Sequence, residues 1–288
     1  MAETARRLTF HTPRDASPER VLALLRALSE AGITDEPSAR STRELVELAE
    51  AYAPMGGRGE PVVLMRVLGL LAGERRSYLT SEGQVMARLA DRDPHRAIEL
   101  IHGLYATTWN TSLPARHTVS FSYAQACRLF WEKAPFPFNS ENRQVLAGEM
   151  IGAIRARFAG LDGYDVGTLS YRSFSLSGVT VWLEALSPPA VQDDVVQRRG
   201  SCWPELLVLA LAQTYRESGA ALGMDLLLTP ERRTSICQIC FLEPTALDRL
   251  LSWTLPIYPE IVMAGTGAGS YGRFIRLLRW PRVADLAT

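Results

Sequence analysis

The sequence predicts a mainly α-helical protein with short β strands, built from consecutive compact units. Three observations carry this. Apolar residues recur at helical spacing through most of the 288 residues. The strand-like runs are short and lie beside glycine-rich turns. The tract 67–89, VLGLLAGERRSYLTSEGQVMARL, passes from an apolar helix end through a charged turn and a strand into a new helix. The length exceeds one small domain. A hydrophobic content of 47% with 22% charged residues is that of an ordinary globular protein.

Taken in order, residues 1–16 form an N-terminal arm with a strand at Leu8, Thr9 and Phe10. Ser17 followed by Pro18 opens the first helix, because a serine cap and a proline at the first position both suit a helix start. Val21, Leu24, Leu25 and Leu28 share its apolar face, and Gly32 ends it. Ser41 and Glu44 form a capping box for a second helix. A third helix runs from Glu60-Pro61 to about Leu71 and is apolar almost all round. In the tract at 67–89, Gly73, Glu74, Arg75 and Arg76 make a turn, Ser77 to Leu79 a strand, and Thr80 or Ser81 caps the next helix. These elements make a first unit, residues 1–93.

A second unit, 94–192, opens with a helix at Asp93-Pro94 and continues through helices around 123–131 and 139–158. Its RSFSLSGVTVWLEAL (172–186) matches RSYLTSEGQVMARL (76–89) at a spacing of 96, one third of 288. That suggests internal repetition. SPPAVQDDVVQRRG, residues 187–200, reads as the main linker. A third unit, 193–288, starts with a leucine-rich helix at 203–217. TSICQICFL, 234–242, reads as a buried strand, and a helix runs from Glu243-Pro244-Thr245 through Trp253. Strands at 258–264 and 271–280 flank a glycine-rich turn. Arg273, Arg276 and Arg279 decorate that returning strand or, at spacing three, stripe a helix.

Helix, wing strand and helix, joined by Leu79-Thr80-x-x-Gly83, resemble the winged-helix superfamily. The resemblance implies a mainly α fold with short β wings, arranged as tandem winged-helix units. It also implies a DNA-associated role, with a helix in the major groove and a wing on phosphate. The cations that would serve are Arg75 and Arg76 on the first wing, Arg143, Arg155, Arg157 and Arg172 in the second unit, and Arg273, Arg276, Arg279 and Arg282 in the third. The partner is then the phosphate backbone of double-stranded DNA. The protein would be a transcription regulator or a DNA-contacting subunit of a bacterial genome-maintenance or phage-defence machine. The competing expectation is an adaptor that clasps a partner protein, or itself, without touching DNA. Zero net charge and the apolar third helix of the first unit favour it.

Catalytic motifs find no support. GAGSYG (Gly267, Gly269, Gly272) spells a dinucleotide fingerprint, but too little chain follows for the helix, strand and acid that the fold requires; a hairpin tip fits better. Cys237-x-x-Cys240 lacks two further zinc ligands nearby and reads as structural. His95 and His102 lie seven apart and suit one helical face. No cofactor is expected. The N-terminus lacks the apolar core of a signal peptide, no run spans a bilayer, and a cytoplasmic bacterial protein with reduced thiols is expected.

Overall fold

A computed structural model describes residues 6–112, 117–160, 164–165, 171, 173–266 and 272–287. After β1 (Arg6–Arg7) come α1 (Pro18–Glu30), β2 (Arg40–Ser41), α2 (Thr42–Ala49), α3 (Glu60–Val67), β3 (Leu71–Ala72) and β4 (Arg76–Leu79). Two helices, α4 (Ser81–Arg92) and α5 (Pro94–Thr107), follow. Next are α6 (Thr118–Lys133), β5 (Phe136–Pro137), α7 (Ser140–Phe158), β6 (Tyr164–Asp165), α8 (Ser177–Glu184), β7 (Val191–Gln192) and β8 (Val195–Val196). The chain closes with α9 (Pro204–Glu217), β9 (Asp225–Leu227), α10 (Pro230–Cys240), α11 (Leu247–Thr254), β10 (Val262–Thr266), β11 (Arg273–Leu277) and α12 (Val283–Leu286).

The fold is mainly helical with small antiparallel sheets. One order of elements occurs three times over residues 18–79, 118–196 and 204–277: helix, strand, helix, helix, strand, strand, with the additional strand β6 set between the second and third helices of the middle stretch. In each case the three strands pair antiparallel with the last strand in the middle: β2-β4-β3, β5-β8-β7 and β10-β11-β9. A fourth sheet, β1 with β6, is parallel and joins the N-terminal arm to the chain after α7.

Local chemistry explains most helix starts. Ser17 Oγ accepts from the Arg20 N–H with Pro18 at the first position, and Ser41 and Glu44 complete the capping box. The Leu-Thr-x-x-Gly step has a packing cause. Thr80 Oγ1 accepts from the Gly83 N–H (3.0 Å) and donates to the Gly69 carbonyl (2.8 Å). A Cβ at Gly83 would lie 2.1 Å from the Leu70 carbonyl oxygen, so only glycine lets α4 approach that turn.

Five sequence expectations need correction. TSICQICFL is not a strand: its first seven residues close α10, because Thr229 caps a helix led by Pro230 and the apolar residues cluster on one helical face. Residues 187–200 are not an exposed linker. Ala190, Val191, Val196 and Arg199 in it are all buried. The apparent repeat is out of step with the real one: residues 76–79 form the last strand of the first sheet, whereas 173–176 form a 3-10 turn leading into α8, a third helix. Arg172 lies outside the described residues. Residues 8–10 form no strand; the arm's strand is Arg6–Arg7. Helix α3, apolar almost all round, is not buried all round as that pattern predicts: Val63 is 50% exposed.

A single hydrophobic core runs through all three stretches. Helix α4 packs on α5, and α5 packs on α9. At Gly103 a Cβ would stand 2.7 Å from Leu209, so the α5–α9 crossing is close. The deepest polar link is an ion pair between Glu99 on α5 and Arg199, both fully buried. Arg199 also donates to the Cys240 carbonyl (2.7 Å), and the Ser187 N–H donates to the Glu99 carboxylate (2.9 Å). The pair therefore ties α5, α10 and the segment after α8 into one knot. His102, also on α5, is held between the Tyr123 hydroxyl (2.7 Å) and the Ile239 carbonyl (2.9 Å). Burial, then the Arg199 charge, push its pKa down to about 3, so it is neutral. His95, two turns earlier, is exposed.

Candidate interaction site

The arginines singled out from the sequence meet different surroundings. Arg75 is exposed at the β3–β4 turn, and neighbouring Arg76 donates to the Ala39 carbonyl (2.6 Å). On α7, Arg143 lies over the Phe138 ring (5.2 Å), Arg155 is exposed, and Arg157 lies over Trp109 (5.1 Å). Arg273 and Arg276 sit three apart on β11, so strand alternation sends them to opposite faces of the sheet. Arg273 reaches α11, where it meets Asp248 (3.5 Å) and Ser252 Oγ (3.4 Å). Arg276 pairs with Asp225 on the outer face (2.8 Å). Arg279 and Arg282 share one carboxylate, Asp285 (2.5 and 3.3 Å).

These carboxylates quench the third stretch's positive charge. Hydrogen bonding from Arg233, then the charges of Arg233 and Arg273, outweigh burial and hold the Asp248 carboxyl below its ordinary range. Burial works against ionisation of Asp285, yet the hydrogen bonds from Arg282 and Arg279 outweigh it and bring its pKa down to about 2. All four predicted cations of the third stretch thus sit against a carboxylate. Each such surface pair contributes little stability. Its electrostatic effect is to cancel the field that would draw in a polyanion.

The three third helices differ in what they leave open. Helix α3 buries Pro61, Val62, Leu64 and Met65, and its Arg66 guanidinium is occupied by Ser77 Oγ (2.8 Å) and Thr42 Oγ1 (3.1 Å). Helix α8 is sealed by the chain's own N-terminal arm: Trp182 donates to the Ala16 carbonyl (2.9 Å), and a Cβ at Gly178 would lie 2.5 Å from the Thr12 carbonyl oxygen. Helix α11 is open along Arg249 and Trp253.

A trough of about 560 Å³ runs along α6, walled by the ends of α5 and α9 and by α7 and α10. Its lining mixes apolar and amide groups: Trp109, Gln125, Leu129, Ala153, Gln238 and Ile239. Of the charged groups in its lining, Arg128 pairs with Glu132 (2.9 Å), which also accepts from Gln238 (3.0 Å), Glu217 accepts from Gln213 (2.8 Å), and Arg157 lies over the Trp109 ring. One thiol, Cys127, reaches the wall, but burial pushes its pKa up to about 12. A protonated thiol is a poor nucleophile and a poor ligand. The trough thus offers a mixed apolar and amide-bearing lining, of the kind that protein contact surfaces carry.

Cys237 and Cys240 are buried on α10, and the Cys237 thiol is pushed up to about 12, mainly by burial. Cys202 lies beside Cys240, while Cys127 stands apart with Tyr123. Among the described residues no group of three or more His, Cys, Asp or Glu is placed to hold a metal ion. The glycine run at 267–272 joins the antiparallel strands β10 and β11. Gly267 and Gly269 lie outside the described residues; Gly272 has φ +75°. Among the described residues, no helix is long and apolar enough to cross a membrane.

Sequence reasoning missed the trough, because five helices contribute to it and no single stretch carries a signature. Trp253 did have a local signal, four residues after Arg249 on a helix. Comparisons with family models, with curated proteins and with solved structures find no match to this chain.

Proposed function

We propose that the chain is a cytoplasmic, non-enzymatic tandem winged-helix scaffold that works by binding a partner protein, with the trough along α6 as its docking site. The winged-helix reading is supported by the thrice-repeated order helix, strand, helix, helix, strand, strand, each time with the last strand central. One observation carries the choice of partner. In the third stretch each arginine that would contact phosphate faces a carboxylate. A DNA-binding surface needs the opposite arrangement, several unpaired cations on one face.

The test has two arms. A labelled DNA duplex is titrated with the full chain at low salt and across a salt series. Affinity capture is run in parallel with the wild type and with Ala153→Trp, which fills the half-buried trough wall from an open position. The scaffold reading expects no duplex binding and a captured protein that is lost with Ala153→Trp. Tight duplex binding that weakens steeply with salt would reverse it. The reading as a transcription regulator or DNA-contacting subunit of a genome-maintenance or phage-defence complex would then take its place. Arg75 and Arg155 favour that second reading, as both are exposed and make no ion pair among the described residues. Their charge reversal would be the next variants.

A further inference from the structure

Helix α11 and the 3-10 turn after it (Leu255–Ile257) present Arg249, Trp253 and Ile257 at intervals of four. All three are exposed, Trp253 to 64% and Ile257 to 57%. A tryptophan and an isoleucine exposed four residues apart are apolar groups of the kind contact surfaces carry. The charges along this stripe are ordered. Arg249 stands at its start, braced over the Trp253 ring (5.8 Å) and donating to the Gly200 carbonyl (2.8 Å). It has no acidic partner among the described residues, unlike Arg233, Arg273, Arg276, Arg279 and Arg282. At the other end, on the exposed turn of Pro259 and Glu260, stands a carboxylate that likewise makes no ion pair among the described residues. The flanking Asp248 is already neutralised by Arg233 (2.6 Å) and Arg273.

The stripe therefore reads cation, aromatic, aliphatic, anion, a pattern complementary to its own reverse. A two-fold axis passing between Trp253 and Ile257 sets Arg249 of one copy against Glu260 of the other, and Trp253 against Ile257. Isologous interfaces require this self-complementarity. We propose that the chain forms a two-fold homodimer through this stripe. The apolar part is small, so the dimer is weak and dissociates on dilution. The proposal goes beyond the scaffold reading and does not depend on it, because the trough along α6 is lined by other residues.

The test is sedimentation velocity of the full chain over a wide dilution series. The wild type is expected to shift from monomer to dimer as concentration rises. Trp253→Ala, a change at an exposed site, is expected to remain monomeric with an unchanged melting temperature. Arg249→Glu is expected to weaken association about tenfold or more, by placing like charges face to face. Arg249→Glu combined with Glu260→Arg is expected to restore it. A wild type that stays monomeric throughout overturns the proposal, as does a dimer indifferent to Trp253→Ala or a charge swap that fails to restore association. Binding of a labelled duplex that vanishes with Trp253→Ala, in a chain that sediments as a monomer, overturns it in favour of nucleic acid on the same stripe. Loss of self-association with capture through the trough intact would separate this failure from that of the scaffold reading.

Discussion

Helices α8 and α11 occupy the same place in the repeated order, each following a second helix and preceding a hairpin. Both carry a tryptophan. Trp182 of α8 is 1% exposed and donates its indole N–H to the Ala16 carbonyl, beneath the N-terminal arm. Trp253 of α11 is 64% exposed, and its ring carries the Arg249 guanidinium of its own helix. The arm supplies the difference. It runs across the middle stretch, with Phe10 edge-on to Phe158 (4.9 Å) and Thr118 Oγ1 donating to the Thr9 carbonyl (2.5 Å), before α1 begins. The order of elements locates a third helix; the segment lying over it decides whether that helix builds the interior or remains a surface.

The largest effect is expected where the segment between these two regions is anchored. Arg199→Met leaves the Glu99 carboxylate buried without a counter-charge, and urea unfolding should show a loss of about 3–5 kcal/mol. The double variant Glu99→Leu/Arg199→Met should lose markedly less, since no charge is then stranded. Equal losses would mean that packing volume, not the ion pair, joins the regions.

Trp182→Ala should cost a similar amount, about 3–5 kcal/mol, because it empties a filled site and strands the Ala16 carbonyl. A loss as small as that of a surface substitution would break the contrast with α11. The same measurement would show that the arm does not seal α8.

A pH experiment sharpens the comparison from the α10 side, since His102 is bonded to the Ile239 carbonyl. Its folded pKa of about 3 lies below the ordinary 6.5. The unfolded chain takes up a proton below about pH 6.5, whereas the folded chain does so only near pH 3. The stabilisation is therefore complete above the unfolded pKa and is lost as pH falls towards 3, by at most about 1.4 kcal/mol per pH unit. Stability curves compared between about pH 6 and 5, above most carboxylate titration, should show this slope in the wild type and not in His102→Gln. Parallel slopes would indicate that His102 is solvated and protonates freely.

The smallest effect belongs to α11. Trp253→Ala should change stability by no more than about 0.5 kcal/mol, as expected for an exposed side chain without partners in the core. A loss approaching that of Trp182→Ala would show that the two helices are covered alike.

Much of this fold was legible in the sequence wherever the cause is local. Ser17-Pro18, the Ser41–Glu44 box, Thr80 with Gly83, and Gly272 at positive φ before β11 are short-range devices, and each works within a few residues of its position. The burial of Cys237 and Cys240 was legible too, although the segment proved helical. An apolar run of nine residues has no strong period of its own, and the cap at Thr229 decided it. The candidate site was far less legible. Arg143, Arg155, Arg157, Arg273, Arg276, Arg279 and Arg282 form an apparent basic series along the chain. Their acids, Asp225, Asp248 and Asp285, reach them only by pairing of strands and helices, and charge balance at a surface is set by neighbours in space. By itself the sequence determined where helices start and stop, because capping and glycine geometry act over one turn. Tertiary structure alone decided which third helix is sealed, which arginines are cancelled and where a trough opens, because each depends on contacts between residues as far apart as Glu99 and Arg199 or Ala16 and Trp182.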